Sequence, residues 1–328
     1  MIALITGVTG FVGSYLAEYL FANTDWDIVG MCRWRSPLDN IQSLIPEINK
    51  GGRVRLVYAD LRDGIAVREA VEQTNPTHVF HLAAQSYPKT SFASPLDTLD
   101  VNIQGTVRLL DALKKFDAEI HVCSSSEVYG RAKSIPIAED APFHPASPYA
   151  VSKVGTDLMA RHYAEAYGMR IQTTRMFTHT SARRGDVFAE SSFAKQIAMI
   201  EAGMVPPVVK VGNLKSLRTI ADVRDAVRAY HMLLTVNPIP GEVYNIGGEH
   251  TCTVGDILDF LLSLSPGKIK IEVDPERLRP VDADLQIPDC SKFIRHTGWR
   301  PQIGFATTMN DLLEYWRDLV KRGVPLQR

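Results

Sequence analysis

Six short apolar runs, separated by stretches with helical spacing, fill the first half of the chain and constrain its fold more than any other feature. The runs are Ile2–Thr6, Asp27–Cys32, Val54–Tyr58, Val79–Leu82, Ile120–Ser124 and Ile171–Met176. Their apolar character is continuous, as in strands covered by helices on both faces. Strands alternating with helices give a parallel sheet, so the expected fold class is α/β with a doubly wound sheet. Val101–Phe116 is the clearest helical pattern, with Ile103, Val107, Leu110 and Leu113 on one face.

After about residue 177 the rhythm changes to polar loops, prolines and shorter elements. Helices are expected near Phe193–Ala202, Asp222–Leu234, Val254–Leu264 and Thr307–Lys321, and strands at Val208–Val211 and Val243–Ile246. The expected organisation is a first domain over 1–177 and a second, smaller α/β lobe over 178–328, with elements of about 216–247 free to return to the first sheet. Composition excludes several classes. The 328 residues carry a formal charge of −1, with no basic field for nucleic acid. Cys32, Cys123, Cys252 and Cys290 lie far apart, without zinc or redox spacing, and fit reduced thiols with no metal site. No apolar stretch approaches the roughly 20 residues that span a bilayer. Met1 runs straight into a strand-like segment, leaving no room for a signal peptide. The expectation is a cytoplasmic protein with no membrane partner.

Gly7, Gly10 and Gly13 stand between the first strand and a helix carrying Val12, Leu16 and Leu20. Glycines there permit a tight turn, close approach to a pyrophosphate and helix–sheet contact, which makes the fold Rossmann-type and the ligand a dinucleotide. A tight turn without a ligand is the competing reading. Phe11 and Val12 belong to the same turn. No acidic residue ends the second strand to hold a ribose 2′-hydroxyl. Arg33 and Arg35 stand there instead and suit a 2′-phosphate, favouring NADP, with NAD as the alternative. Asp60 and Leu61 after the third strand, and Leu82, Ala83 and Ala84 after His81 on the fourth, complete the expected cofactor contacts.

Ser125, Ser126 and Glu127 follow the fifth apolar run, and Tyr149 and Lys153 come next on a helix opened by Ser147 and Pro148. Residues four apart on a helix share a face. An ammonium beside a phenol favours the phenolate, which makes Tyr149 a candidate base. A packing pair on a helix surface, an ordinary strand-end serine and a helix-capping glutamate are the plain alternatives.

With these motifs in place, HLAAQS at 81–86, SSSEVYG at 124–130 and SPYAVSK at 147–153 resemble the extended short-chain dehydrogenase/reductase family over nearly the whole chain. Ser125-Ser126-Glu127 resembles the Thr-Ser-Glu of its nucleotide-sugar 4,6-dehydratases. SARRGDVF at 181–188, KVGNLKSLR at 210–218 and RPVDAD at 279–284 resemble the GDP-mannose branch. RWRSPLDNI at 33–41 and QSYPKTSF at 85–92 are similar to bacterial enzymes acting on GDP-manno-heptose, which implies a place in surface polysaccharide synthesis.

The resemblance implies a redox-neutral dehydration. Tyr149, held as a phenolate by positive charge from both Lys153 and the oxidised nicotinamide, takes the sugar O4 proton as hydride leaves C4. Glu127 then removes the C5 proton and protonates the departing O6, and hydride returns to C6. Ser125 and Ser126 hydrogen-bond O4 or O6. Ser86, Thr178, Arg184, Lys210, Arg218 and Arg279 are the implied substrate contacts, with Lys215 near them, and Arg183 is implied to face a neighbouring subunit of a homodimer or homotetramer. Thr178 and Thr219 stand where relatives have asparagine and aspartate, as for a sugar other than mannose. FAKQI at 193–197 and VRDAVRAY at 223–230 also resemble a GDP-4-keto-6-deoxymannose reductase. That reductase, an epimerase of the same family, and a non-catalytic NADP-binding sensor are the rival functions.

Overall fold

The computed structural model describes residues 1–278, 284–324 and 326. The first six strands are β1 (Ile2–Thr6), β2 (Asp27–Cys32), β3 (Val54–Tyr58), β4 (His78–His81), β5 (Glu119–Cys123) and β6 (Ile171–Met176). They are followed by β7 (His179–Thr180), β8 (Val208–Val211), β9 (Leu217–Asp222), β10 (Val243–Ile246), β11 (His250–Thr253), β12 (Lys270–Val273) and β13 (Leu285–Gln286). A parallel seven-stranded sheet has the order β10-β6-β5-β4-β1-β2-β3. The chain builds outward from β1 in one direction through β2 and β3, then crosses back to β4 and continues the other way. That reversal opens a crevice beyond the C-terminal ends of β1 and β4, where open α/β sheets bind ligands.

Helices cover both faces, as the continuous apolar strands require. On one face, Phe11–Asn23 and Val223–Thr235 bury Leu16, Leu20, Val227, Tyr230 and Leu233. On the other, Gly64–Thr74, Gly105–Leu113 and Pro148–Tyr167 bury Val67, Val71, Leu109, Leu113, Ala160 and Tyr163. A third core joins helices Ala189–Glu201, Val254–Ser263 and Phe305–Lys321 to Val209 and Val211 of β8. Trp316 lies at its centre, and its indole N–H donates to the Ser191 hydroxyl at 2.9 Å. Beside this core, β9 pairs with β7, β11 and β13, while β8 pairs with β12. Late in the chain, β10 leaves these small sheets and pairs with β6.

The helix expected over 101–116 is interrupted. A π-helical turn spans Asp100–Gln104 before the α-helix Gly105–Leu113. The Asn102 carbonyl accepts from the Thr106 and Thr156 hydroxyls at 2.6 and 2.9 Å, in competition with the regular ladder. Such turns are frequent at functional sites. Here the Asn102 amide bonds both backbone groups of Gln85, at 2.8 and 3.0 Å, and the Ser152 hydroxyl at 2.8 Å. Among the described residues, no helix is long and apolar enough to cross a membrane.

Candidate active site

β1 ends in a turn that only glycine fits. Gly7 has φ +74°, and a Cβ there would lie 2.9 Å from the Ala83 Cα. A methyl group on Gly13 would collide with the Gly7 carbonyl. Gly10 caps helix Phe11–Asn23 without a side-chain hydrogen bond, so the first-turn amides are left for an anion.

A cleft of about 970 Å³ runs from this turn, past the ends of β4 and β5, to the second lobe. Gly7, Gly10, Phe11, Val12, Gly13, Arg33, Asp60, Leu61, Leu82, Ala83 and Ala84 line one end. Ser125, Ser126, Glu127, Tyr149 and Lys153 line its middle, and Ser86, Thr178, Arg184 and Arg218 line it as well. Arg35 is exposed and is not among the lining residues; the Ser36 amide bonds the Arg33 carbonyl and turns the chain between them. Lys210 is also off the cleft. It lies on β8 between buried Val209 and Val211, so strand alternation turns it to solvent, and its backbone bonds Gln196. Lys215 is exposed outside the lining. Arg279 lies outside the described residues.

Each reacting group has a local reason for its place. Ser147 accepts from the Ala150 amide at 3.0 Å and Pro148 occupies the first helical position, fixing the start of Pro148–Tyr167. The Tyr149 amide donates to Ser91 Oγ at 3.0 Å. After β5, Ser125 is extended and its hydroxyl accepts from the Glu127 amide at 3.2 Å, folding Ser126–Val128 into a single 3₁₀ turn. Lys153 Nζ donates to the Cys123 carbonyl at 2.7 Å, so the helix and the end of β5 are tied at this point.

Electrostatics differ from the simple tyrosine–lysine picture. Burial pushes the Tyr149 phenol well above its ordinary value; the Ser125 hydroxyl opposes this, the Glu127 charge adds to it, and Arg184 lowers it. Burial lowers the Lys153 pKa. Burial thus disfavours the phenolate in the protein without cofactor, where the oxidised nicotinamide expected beside Lys153 supplies no charge. Asp60 is held below the usual carboxylate range, first by its hydrogen bonds from Arg62, at 2.7 to 3.1 Å, which occupy both oxygens. His81 is structural: its ring bonds the Thr6 and Thr106 hydroxyls at 2.9 Å each.

Arg184 lies over the Phe188 ring, 3.4 Å from its centroid, with Nε 3.4 Å from Glu190 Oε1. Arg183 turns inward. Its guanidinium bonds both Glu18 oxygens at 2.9 Å and sits over Tyr15, so within this chain it braces helix Phe11–Asn23. Gln85, Tyr87, His179, Glu190 and Arg277 also line the cleft, and sequence reasoning missed them. Glu190 and His179 carry buried side-chain atoms without hydrogen-bond partners, a signal visible only in three dimensions. Arg277 had a faint sequence signal in standing two residues before the RPVDAD segment.

Comparison with known proteins supplies the family. The model of the family described as GDP-mannose 4,6 dehydratase matches residues 4–312. GDP-mannose 4,6 dehydratase of Drosophila melanogaster is 31% identical, with 98% of this chain and 87% of that protein covered. GDP-mannose 4,6-dehydratase of Yersinia enterocolitica is 33% identical, covering 92% of this chain and 90% of that one. The structure of RMD from Pseudomonas aeruginosa complexed with NADPH superposes with a TM-score of 0.82 at 27% identity, over 97% of this chain and 99% of the other. With the glycine turn, the Ser-Ser-Glu turn and the tyrosine–lysine helix meeting in one cleft, this chain belongs to the GDP-mannose 4,6 dehydratase family.

Proposed function

We propose that this chain is an NADP-dependent hydro-lyase that converts a GDP-manno sugar, GDP-D-mannose or GDP-D-glycero-D-manno-heptose, into its 4-keto-6-deoxy form. The observation that carries this reading is Glu127 in the same cleft as Tyr149 and Lys153. Removing hydride from an alcohol needs a base on oxygen; a second base is needed only when a proton also leaves carbon.

When bound, a nicotinamide cofactor accepts hydride from sugar C4 and returns it at C6, so the net redox change is zero. Gly7, Gly10, Phe11, Val12 and Gly13 hold its pyrophosphate, Arg33 its 2′-phosphate, and Asp60, Leu61, Leu82, Ala83 and Ala84 flank the remainder. The NADPH bound to the RMD protein supports NADP over NAD. Tyr149 as phenolate takes the O4 proton, leaving a C4 ketone that acidifies the C5 hydrogen. Glu127 takes that proton and passes it to O6, whose C6–O bond breaks as water leaves. A proton returned at C5 balances the one Tyr149 took. Ser125 and Ser126 hydrogen-bond O4 and O6, and Ser86 and Thr178 border the sugar. Arg184, Arg218 and Arg277 serve the diphosphate, arginine's planar fork matching phosphate oxygens.

Residues 178–328 then act chiefly as the nucleotide-sugar lobe and 1–177 as the dinucleotide domain. Val151 and Leu158, seven apart on the Pro148–Tyr167 helix and about half exposed, form an apolar pair that a homodimer or homotetramer would cover. Incubation of the purified protein with each GDP-sugar is expected to give a product lighter by one water, without added NADPH. A reductase consumes one NADPH per product, and a sensor binds NADP without turnover; either result overturns the reading.

A further inference from the structure

The active-site helix and the turn that carries Glu127 are joined underneath by one guanidinium. Arg175, on β6, is 2% exposed and bonds Asp157 with two contacts, Nε to Oδ2 at 2.8 Å and Nη2 to Oδ1 at 3.0 Å. Asp157 lies one turn beyond Lys153 and is fully buried. The Arg175 Nη1 donates to the Tyr129 hydroxyl at 2.9 Å and to the Glu139 carbonyl at 2.7 Å. Tyr129, two residues past Glu127 and also fully buried, donates in turn to Asn245 Oδ1 at 2.7 Å. Asn245, on β10, is itself fixed by its amide donating to the Ile137 carbonyl and its backbone N–H donating to Glu139, each at 2.8 Å.

We infer that the Asp157–Arg175–Tyr129–Asn245 chain is a positioning device that fixes the carboxylate of Glu127 relative to Tyr149. None of the four lines the cleft. Each of the four side chains is hydrogen-bonded to its neighbours, Asp157 also pairs with Arg161 at 3.2 Å, and a buried network so connected rigidifies what it joins. Tyr149 and Lys153 have anchors of their own at Ser91 and Cys123. The backbone around Glu127 is tied by its own bond to the Ser125 hydroxyl, by the short 3₁₀ turn and by the His144 amide donating to the Val128 carbonyl at 3.0 Å, and the buried network adds its hold on Tyr129 two residues on. Loosening the network therefore disturbs proton removal from C5 more than hydride removal from C4.

The inference rests on the dehydratase reading, and one experiment separates the two. Kinetic isotope effects on turnover are measured with GDP-mannose deuterated at C4 or at C5, for the wild type and for Tyr129→Phe and Arg175→Lys, alongside thermal midpoints. Both variants are expected to lose about 10- to 100-fold in kcat, the scale of a small misplacement of reacting groups. The C5 isotope effect is expected to rise and the C4 effect to fall, with little change in KM. Arg175→Lys keeps the charge but cannot span Asp157 and Tyr129 together. Isotope effects equal to those of the wild type, with kcat falling only as the midpoint falls, would reduce the network to structural support and overturn the inference. A wild type that removes no water from either GDP-sugar would instead overturn the function itself.

Discussion

Tyr149 and Lys153 show how far a spacing can be trusted at the scale of single residues. Their four-residue separation, read with Ser147 and Pro148, was legible because helix geometry alone puts them on one face. Their protonation was legible only in part, as positive charge from Lys153 and the oxidised nicotinamide. It depends on burial, which raises the phenol, and on the commitment of Lys153 to the Cys123 carbonyl. A phenolate therefore needs a further positive charge in the cleft, which an oxidised nicotinamide brings. In the cofactor-free protein, ultraviolet titration is expected to show no phenolate from Tyr149 near neutral pH. Adding the oxidised cofactor is expected to bring in a signal that Tyr149→Phe lacks, and that variant should lose about 100- to 10,000-fold in turnover while still binding NADP. A phenolate signal at pH 7 without cofactor would contradict this account.

Whole elements were easier to read than single side chains wherever both faces are buried. Four of the first six strands have the bounds their apolar runs indicate, and β4 and β5 are displaced by one residue. The reason is physical: a strand covered by helices on both sides favours apolar residues on both faces, most plainly in β1, although β6 buries Gln172, Thr173, Thr174 and Arg175 in the same sheet. The strands that escaped notice, β7, β9, β11, β12 and β13, have two to six residues, and β12 is exposed along its length. The π turn at Asp100–Gln104 escaped because hydroxyls remote in sequence, such as Thr156, compete for the Asn102 carbonyl. Of the arginines and lysines assigned to ligands, Lys210 failed because strand alternation decides its direction. The glycine turn invites a test at this scale. Gly7→Ala puts an L-residue at φ +74° and a methyl against Ala83, whereas Gly51→Ala meets φ +67° with open space around it. Both should lose about 1–2 kcal/mol by denaturant titration from the backbone alone. Only Gly7→Ala is expected to lose NADP affinity as well, measured by fluorescence binding. Equal affinity in the two variants would remove this turn from the cofactor site.

At the scale of the whole molecule, the layers meet on buried histidines, and this sets a limit on the acid side. His121 on β5 is fully buried, with its ring 4.4 Å from that of Tyr230 on the covering helix and one bond, at 2.8 Å, to Thr174. His81 is held between Thr6 and Thr106 beneath the cleft, and His78 packs on Trp26 at 4.3 Å. Burial lowers the pKa of His81 and His121 to about 3, and that of His78 and His179 to about 4, from 6.5. Because the folded values lie below the unfolded one, these groups leave stability whole above about pH 6.5. Below it the unfolded chain binds protons that the native state refuses, so stability falls as pH drops toward 3 to 4. Each neutral imidazole then contributes a slope of up to about 1.4 kcal/mol per pH unit. Urea titrations between pH 7 and 5 should show unfolding coupled to uptake of nearly four protons from these groups toward the acid end, with a further share from His231, whose pKa burial also lowers. His121→Leu should reduce that uptake by one. Its Nδ1 has no partner in the fold, so the substitution forfeits the bond to Thr174 and the ring contacts with Tyr230 and Phe80 while keeping an apolar side chain there, and should retain much of the stability at pH 7. Stability independent of pH across this range would mean that the interface between sheet and helices admits charged imidazoles, and that the layers are less tightly closed than this packing requires.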